Sequence, residues 1–482
     1  MAQPIKFGTD GWRGLIADDF TFDRVALVAP RAAQVLAQVY GDRTNSRTVI
    51  VGHDRRFLAE EFARKAAVCI QAAGFDVLLT DNYAPTPAFS LAANQLNALG
   101  AIVLTASHNP GTYLGLKVKG AFGGSVPPEI TQQIEALLPK DEGAAAKVEN
   151  PNYSGSLKIF NPWSSYCETL RAKVDIEGIR EAITSGKLTV FADVMHGAAA
   201  GGLAQILEVP VREINSDRDP FFGGGAPEPL PRYLSELFRV IKAHQRAEGS
   251  LAIGFVFDGD SDRIAAVDGE GNFLSSQILI PILIEHLAKR RGLTGEVIKT
   301  VSGSDLFPKI ANLYQLPIFE TAIGYKYIAD RMLTTHVLVG GEESGGIGYG
   351  THIPERDALL SALYLLEAVV QSGEDLSDIY RRLQQETSFN SDYDRIDLPL
   401  ASMEVRSRLV EQLQNQPLTE IAGQAVVDCN KVDGYKFRLA DNRWLLIRFS
   451  GTEPVLRLYC EAANSEQVHE TLNWAKDWAN QF

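Results

Sequence analysis

The chain has 482 residues, of which 45% are hydrophobic, and its 46 Lys and Arg against 60 Asp and Glu give a formal net charge of −14. This hydrophobic content excludes a disordered or fibrous protein. The acidic balance argues against nucleic acid or an anionic membrane as a partner. At about 150 residues per domain, three or four domains are expected.

Cysteine usage and the N-terminal segment indicate the cellular compartment. The four cysteines lie far apart, without a C-x-x-C pair, which is typical of a reducing compartment. The first residues, "MAQPIKFGTDGWRG", contain no apolar signal core. The sequence contains no run of about 18 apolar residues that could span a membrane. We therefore expect a soluble, cytoplasmic protein that is a monomer or a homodimer.

The N-terminal part of the sequence predicts an α/β fold. A strand is expected from Thr48 to Val51, then a helix over "AEEFARKAAVCIQAAGF" and a strand at "DVLLTD". This strand–helix–strand order indicates a parallel sheet. A further strand from Ala101 to Leu104 follows, and Pro127 and Pro128 open another helix.

Composition changes mark the later boundaries. The segment from Pro139 to Gly155 is typical of a linker, and Leu376 to Gln385 could form a helix. After Asp394, short strand patterns joined by tight turns precede a terminal helix, "SEQVHETLNWAKDWANQ". We predict a long α/β body followed by a smaller α+β C-terminal domain.

One pattern recurs in the α/β body. Three times an apolar strand runs into a polar, glycine-containing or proline-containing loop, in "AIVLTASHNP", "LAIGFVFDGDSDR" and "HVLVGGEESGG". Ligands of open α/β sheets bind outside the carboxyl ends of the strands. Three such loops could therefore line one cleft.

The first loop presents Ser107 as a hydroxyl beside the imidazole of His108, and Asn109 and Pro110 turn the chain away. Such a hydroxyl could meet a ligand at the mouth of the sheet. A simple turn, in which Ser107 and Asn109 hydrogen-bond to nearby backbone, is the alternative. The local sequence leaves both interpretations open.

The second loop, "DGDSDR", alternates three aspartates that could converge on one hard cation: Asp258, Asp260 and Asp262. Without a cation these carboxylates would repel each other. The glycine and glutamate that an EF-hand needs are missing, so Mg²⁺ is favoured over Ca²⁺. Arg263 could clamp a phosphate beside the metal. A solvated acidic turn is the alternative.

Two further loops suit polar ligands. In "GGEESGG", Glu342 and Ser344 could bind the vicinal hydroxyls of a sugar, although a flexible surface loop is the alternative. The segment "RFSGTEP" could bind a phosphate dianion through hydroxyls and backbone N–H groups between flanking arginines: Arg448, Ser450, Gly451, Thr452 and Arg457. An ordinary hairpin turn is the alternative there.

With these four loops in this order, the chain resembles the α-D-phosphohexomutase family, which includes phosphoglucomutase and phosphomannomutase. The resemblance covers essentially the whole chain and also includes "FGTDGWRG", "VGHDRR", "APTPA" and "AIGYKYI". It implies three similar α/β domains with mixed sheets and a smaller α+β domain around one central cleft. The expected domains are 1–150 (phosphoserine loop), 157–270 (metal loop), 271–375 (sugar-recognition loop) and 390–482 (phosphate binding).

The resemblance also implies a role for each loop. Ser107 is identified as a phosphoserine whose phosphate completes an Mg²⁺ site with three carboxylates: Asp258, Asp260 and Asp262. Glu342 and Ser344 become contacts to sugar hydroxyls. The distal phosphate site is expected at Arg448, Ser450, Gly451 and Thr452. Further cleft residues near the phosphoserine, metal or substrate are Arg13, His108, Lys117, Arg263 and Lys326.

The implied activity is that of a phosphoglucomutase. It would interconvert glucose 1-phosphate and glucose 6-phosphate through glucose 1,6-bisphosphate, with some activity on mannose phosphates, so that its partners are small hexose phosphates. The absence of a G-x-x-x-x-G-K-[ST] loop agrees with a cycle that needs no ATP. The alternatives are a phosphomannomutase, a phosphoglucosamine mutase, an Mg²⁺-dependent sugar phosphohydrolase and a non-catalytic sugar-phosphate binder.

The sequence departs from the family at two positions. Some branches carry a histidine where this chain has Gly346, and relatives commonly carry asparagine where it has Leu114. The base that deprotonates the attacking hydroxyl is therefore open. Lys117 and Lys326 are candidates, because a lysine near other cations can have a lowered pKa. Each could equally be a phosphate contact only.

Overall fold

A computed structural model of the chain describes residues 4–8, 10–139, 155–450 and 454–482, and these residues form four separate β-sheets. The first three sheets are mixed, and the fourth is antiparallel throughout. This arrangement confirms the predicted fold class of three α/β domains and an α+β C-terminal domain. Nearly all of the predicted linker, residues 140–154, lies outside the described residues.

The first sheet positions the loop of Ser107. Its elements are β1 (Phe7–Gly8), β2 (Gly11–Leu15), α1 (Phe22–Thr44), β3 (Thr48–His53), α2 (Ala59–Ala72), β4 (Asp76–Thr80), α3 (Thr86–Gln95), β5 (Gly100–Leu104), β6 (Tyr113–Gly120), α4 (Pro128–Ala136) and β7 (Leu157–Phe160). The strand order is β1-β2-β6-β5-β3-β4-β7. Ile102 and Leu104 pack in the core with α1 and α2, whereas Ala101 and Val103 lie in the core with α3. Because both faces of β5 are covered, its sequence is continuously apolar.

The second sheet positions the aspartate loop. Its elements are α5 (Pro162–Arg171), α6 (Ile176–Thr184), β8 (Leu188–Asp193), α7 (Gly202–Leu207), β9 (Arg212–Ile214), two short 3₁₀ turns (Phe222–Gly224 and Pro231–Tyr233), α8 (Ser235–Ala247), β10 (Leu251–Phe257), β11 (Ile264–Val267) and β12 (Phe273–Leu274). The strand order is β12-β11-β10-β8-β9. The buried, apolar β10 ends directly before Asp258.

The third sheet positions the loop of Glu342. Its elements are α9 (Ser276–Glu285) with a π turn (His286–Arg290), β13 (Glu296–Thr300), α10 (Leu306–Leu313), β14 (Ile318–Thr321), α11 (Tyr325–Thr334), β15 (Val337–Gly341), β16 (Ile347–Tyr349), α12 (Ala358–Ser372) and α13 (Leu376–Thr387). The strand order is β14-β13-β15-β16. The possible helix noted in the sequence from Leu376 to Gln385 is α13, and the side chain of Asp375 caps its N-terminus.

The C-terminal domain contains β17 (Asp392–Pro399), α14 (Met403–Asn415), β18 (Glu420–Ile421), β19 (Gln424–Asn430), β20 (Tyr435–Leu439), β21 (Trp444–Phe449), β22 (Val455–Ala462) and α15 (Ser465–Ala479). Its strand order is β17-β22-β21-β20-β19-β18. One hydrophobic core joins this sheet to α14 and α15. The strands and the terminal helix follow the predicted pattern, whereas α14 was not predicted.

Strand pairing and helix packing fix the extent of the three α/β sheets and their helices. β7 pairs with β4, so the first sheet extends to Phe160. β12 pairs with β11, so the second sheet extends to Leu274. α13, which ends at Thr387, packs against α9 and α10. The predicted domain boundaries stay a prediction.

The three α/β sheets share one local plan. In each, a strand with one parallel neighbour is followed by a loop and an antiparallel strand: β5 by β6, β10 by β11 and β15 by β16. The three loops between these pairs are the recurring segments of the sequence. None of the described helices combines the length and apolar character needed to cross a membrane.

Candidate active site

Ser107 follows β5 in a conformation that its surroundings fix. Its φ is 52° and its side chain is buried, although a non-glycine residue rarely adopts a positive φ. The Ser107 N–H donates to Thr105 Oγ1 at 2.9 Å, and the Thr105 hydroxyl donates to Asp54 Oδ2 at 2.6 Å. The loop therefore contains the local hydrogen bonds of a turn, but these bonds also present a hydroxyl inside the protein.

Arg56 binds the same loop from the other side. Its fully buried guanidinium donates to the carbonyl oxygens of Ser107 (2.5 Å), Asn109 (2.6 Å), Pro110 (2.9 Å) and Tyr113 (3.1 Å). Arg56 Nε lies 3.3 Å from Asp54 Oδ2. One guanidinium thus satisfies four carbonyl groups and fixes the path of the loop after Ser107.

The three aspartates of the second loop meet Ser107 in the interior. Asp258, Asp260 and Asp262 are all buried, with carboxylate oxygens within 4.8 Å of one another. Ser107 Oγ donates to Asp258 Oδ2 at 2.8 Å. Burial, together with the neighbouring carboxylates of Asp262 and Asp260, raises the pKa of Asp258 well above its usual range. The solvated acidic turn is therefore wrong.

These carboxylates have the chemistry of a cation site. Asp260 Oδ1 and Asp262 Oδ1 are buried and have no hydrogen-bond partner among the described residues. Unpaired buried carboxylate oxygens are costly unless a cation or donor binds them. Three oxygen ligands suit Mg²⁺, which fills its remaining positions with water or phosphate. The residues that could hold the metal are therefore those predicted from the sequence.

Lys117, on β6, contacts three carboxylates. The sequence argument for a lowered pKa had instead assumed that other cations lie near this lysine. Its Nζ lies 2.7 Å from Asp10 Oδ2, 2.8 Å from Asp260 Oδ2 and 3.0 Å from Asp262 Oδ2. Burial disfavours the ammonium, but the three carboxylates outweigh burial and raise the pKa of Lys117. The expectation of a lowered pKa at this lysine is wrong, because the nearest charges have the opposite sign.

Arg356, just before α12, fills the space beside Gly346. A Cβ at position 346 would overlap Cδ of Arg356. The Arg356 Nη2 group contacts Asp262 Oδ2 at 2.6 Å and Asp10 Oδ2 at 2.8 Å, and Nη1 lies 3.8 Å from Glu342 Oε2. Gly346 thus makes room for the side chain of Arg356, whose guanidinium joins the aspartate loop and the loop of Glu342.

Three predicted cleft residues surround these loops. Arg13, on β2, donates to Asn109 Oδ1, and His108 Nδ1 lies 3.3 Å from Ser107 Oγ. Burial, and then the charges of Arg263 and Arg13, lower the pKa of His108, so its imidazole is neutral. Arg263 forms a backbone bridge with Gly346, and its Nε lies 4.0 Å from Asp262 Oδ1. The first, second and third loops are therefore in contact.

The loop of Glu342 also borders a cavity at the C-terminal domain. Glu342 is buried, and burial raises its pKa to about 7. Ser344 lines a cavity of about 680 Å³ together with His108 and with Arg395 and Arg457 of the C-terminal sheet. The loop is therefore packed between domains, and the alternative of a flexible surface loop is not supported.

The remaining predicted residues that the structure describes lie on β21, directly after β21, and on α11. Arg448, on β21, donates from Nε to Asp433 Oδ1 at 3.0 Å, and the Ser450 carbonyl accepts from Arg406 Nε at 2.7 Å. Lys326, on α11, lines a cavity with Asp10, and its Nζ lies 4.8 Å from the centroid of the Tyr327 ring. Gly451 and Thr452 lie outside the described residues.

Four residues of the site were not assigned from the sequence: Asp10, Arg56, Thr86 and Arg356. Three of them lie in motifs that carried the resemblance, "FGTDGWRG", "VGHDRR" and "APTPA". Thr86 Oγ1 donates to Asp260 Oδ2 at 2.5 Å, and Thr86 N donates to the Asp260 carbonyl at 3.0 Å. These three motifs could have been used to predict that residues of the first domain contact the aspartate loop. No such motif pointed to Arg356.

Comparison with known proteins covers all four parts of the chain. The families that match are phosphoglucomutase/phosphomannomutase α/β/α domain I (residues 4–144), domain II (164–271), domain III (275–387) and the C-terminal domain (404–473). The solved structure of a candidate phosphomannomutase from Thermus thermophilus is 32% identical, with a TM-score of 0.83 and 100% of both chains covered.

Curated relatives match over similar lengths. The phosphoglucomutase/phosphomannomutase of Thermococcus kodakarensis is 27% identical over 472 residues, 97% of this chain and 96% of the relative. The phosphoglucosamine mutase of Limosilactobacillus reuteri is 28% identical over 474 residues, 96% of this chain and 95% of the relative. With the four domains and the site geometry, these matches show that the chain belongs to the α-D-phosphohexomutase family of isomerases, which are intramolecular phosphotransferases.

Proposed function

We propose that the chain is a phosphoglucomutase that interconverts glucose 1-phosphate and glucose 6-phosphate and also accepts mannose phosphates. The observation that carries the proposal is the 2.8 Å contact between Ser107 Oγ and Asp258 Oδ2. It brings a buried hydroxyl to three carboxylates with the chemistry of a cation site. A nucleophile beside a metal site is what reversible phosphoryl transfer requires.

In this proposal Ser107 carries a phosphoryl group at rest, and the phosphoserine completes an Mg²⁺ site with Asp258, Asp260 and Asp262. A phosphoserine adds about −1.5 to −2 charges at neutral pH. Bound Mg²⁺ would offset this charge and withdraw electron density from the phosphoryl oxygens. The buried Oδ1 atoms of Asp260 and Asp262, which lack a hydrogen-bond partner among the described residues, support the assignment.

The chain's own residues perform two opposite transfers. In the first, the bond from Ser107 Oγ to phosphorus breaks and a bond from the sugar hydroxyl to phosphorus forms, while that hydroxyl releases its proton. After the bisphosphate turns over in the cleft, a bond from Ser107 Oγ to the other phosphorus forms, the bond from that phosphorus to its sugar oxygen breaks, and this oxygen takes back a proton. Arg13, His108 and Arg263 would hold the phosphoryl oxygens through their N–H groups.

Proton transfer and substrate binding involve the remaining residues. Of the two candidate lysines, Lys326 is favoured for the proton transfer because Lys117 is paired with three carboxylates. Glu342 and Ser344 would accept hydrogen bonds from sugar hydroxyls. Arg448 and Ser450, with Gly451 and Thr452, would hold the phosphate that is not being transferred.

Phosphoglucosamine mutase is the second candidate, because the curated relatives that match this chain along its length include enzymes of that name. Purified protein with Mg²⁺ and trace hexose 1,6-bisphosphate should be incubated with the 1-phosphates of glucose, mannose and glucosamine. Phosphorus NMR then follows isomerisation and phosphate release together. We expect the highest kcat/KM for glucose 1-phosphate.

The same assay distinguishes the alternatives. A higher kcat/KM for glucosamine 1-phosphate would replace the proposed substrate. Steady release of inorganic phosphate without isomerised sugar would indicate a phosphohydrolase. Ser107→Ala is the control for background activity, and an unchanged rate in that variant would reject the proposed nucleophile.

A further inference from the structure

Asp433 joins two domains through a single carboxylate. It lies in the turn between β19 and β20 of the C-terminal domain. Asp433 Oδ1 accepts a hydrogen bond from Nε of Arg448 at 3.0 Å. Asp433 Oδ2 accepts from the backbone N–H of Ile323 at 3.0 Å, and Ile323 lies between β14 and α11 of the third domain. The guanidinium of Arg448 is thus connected to a neighbouring domain through one side chain.

The position of Asp433 is fixed by the turn that carries it. Gly434 has a φ of 90°, and a Cβ at this glycine would lie 2.5 Å from the carbonyl oxygen of Ile447. The turn therefore packs closely against β21, next to Arg448. A side chain larger than hydrogen at position 434 would displace the turn and with it the carboxylate of Asp433.

Other contacts from the same hairpin also reach the third domain. Lys436 Nζ donates to the carbonyl of Val301 at 2.7 Å, and Asn430 Nδ2 donates to Glu320 Oε1 at 3.2 Å. The β19–β20 hairpin therefore docks on the third domain on both sides of Asp433. Because of this docking, the hydrogen bond to Ile323 depends on the arrangement of the two domains.

The contact to Nε has a consequence for anion binding. A guanidinium is planar, and its two terminal nitrogens can bind a phosphate side by side. A carboxylate on Nε fixes that plane and leaves the terminal nitrogens available for an anion. Arginine has many rotamers, and restricting them before binding reduces the entropy lost on binding.

We propose that Asp433 is a positioning residue for phosphate binding. It orients the fork of Arg448 and makes that orientation depend on the docking of the C-terminal domain on the third domain. The inference rests on the proposed function, in which Arg448 binds the phosphate that is not being transferred.

Asp433→Ala tests the proposal in steady-state kinetics. We expect KM for glucose 1-phosphate to rise about tenfold and kcat to stay within about twofold, because the interaction acts on binding. In an Arg448→Ala background the same change should have no further effect, since Asp433 acts through that arginine. An unchanged KM in the single variant, or losses that add in the double variant, would overturn the proposal.

Asp441→Ala is the matched control. Asp441 Oδ2 also accepts from an arginine Nε, that of Arg443 at 2.6 Å, in the next hairpin of the same sheet. We expect KM to be unchanged in this control. If Asp433→Ala does not fold, Asp433→Asn, which keeps the shape and removes the charge, repeats the test with an expected rise in KM of about threefold.

Two measurements do not depend on turnover. Amide hydrogen exchange at Ile323 should become faster in Asp433→Ala and stay unchanged in Asp441→Ala. Inorganic phosphate should raise Tm of the wild type, less so in Asp433→Ala and least in Arg448→Ala. Equal rises in all variants would reject the role of Asp433. A wild type without mutase activity that still shows these differences would reject the proposed function alone.

Discussion

Arg56→Lys tests whether a buried guanidinium builds the nucleophile loop. Arg56 donates to four carbonyl oxygens between Ser107 and Tyr113. A lysine ammonium is compact and cannot reach all four acceptors. With hydrogen bonds to charged groups contributing about 1.5–3 kcal/mol each, losing two of them with partial relaxation should lower the free energy of unfolding by about 2–4 kcal/mol. A displacement of Ser107 by about 1 Å should lower kcat by about 100-fold.

The assay combines urea unfolding with kcat on the folded fraction, and Arg443→Lys is its matched control. Arg443 is also buried and donates to Asp441, Glu470 and Thr471, but it lies in the C-terminal domain. The control should lose stability and keep its kcat. If Arg56→Lys loses stability but keeps kcat within about twofold, the guanidinium only stabilises the fold and the reasoning is refuted.

Three further predictions concern the metal and sugar loops. Asp260→Asn should raise the Mg²⁺ concentration for half-maximal activity and lower kcat, and an unchanged Mg²⁺ titration would contradict its role. In the wild type KM should fall between about pH 6 and 8, because burial raises the pKa of Glu342 to about 7 and only the ionised carboxylate is a full hydrogen-bond acceptor. Glu342→Gln should abolish this fall. A pH profile of KM shared with the wild type would contradict the prediction. Gly346→Ala should lower the free energy of unfolding, measured in urea, by about 1–3 kcal/mol, because the added methyl group would overlap Arg356. No loss of stability would mean that Arg356 shifts freely.

Glu342 also carries a stability prediction of defined sign. Its pKa in the folded protein is raised above the ordinary value of 4.5 to about 7. The folded state therefore retains a proton that the unfolded state releases, and the free energy of unfolding falls as pH rises between these values. In Glu342→Gln this part of the pH dependence should be missing.

The loops were predictable because their signals are local. The apolar run from Ala101 to Leu104 identifies a buried strand, and the polar residues that follow it must lie at its carboxyl end. The same reasoning applies to Asp258 after β10 and Glu342 after β15. Repetition of this pattern, together with the resemblance, was sufficient to predict the fold class and the aspartate site.

The contacts between domains were not predictable in the same way. Arg356 and Asp10 are 346 positions apart in the chain, and no local pattern links them. The pKa of Lys117 depends on three carboxylates from two distant segments, so the expectation of nearby cations predicted the wrong direction of the pKa shift. Asp433 and Ile323 meet only because a hairpin docks on another domain.

The central claim is that Ser107 exchanges a phosphoryl group with substrate beside the three aspartates. It is tested most directly in two steps. Excess unlabelled glucose 6-phosphate first removes the resident phosphoryl group, and the desalted protein is then incubated with Mg²⁺ and radiolabelled glucose 1,6-bisphosphate. Intact-mass measurement and peptide mapping follow. We expect one phosphoryl group per chain on Ser107, which unlabelled glucose 1-phosphate or glucose 6-phosphate removes. Label that stays on the protein in Ser107→Ala, or a wild type that never acquires label, would contradict the account.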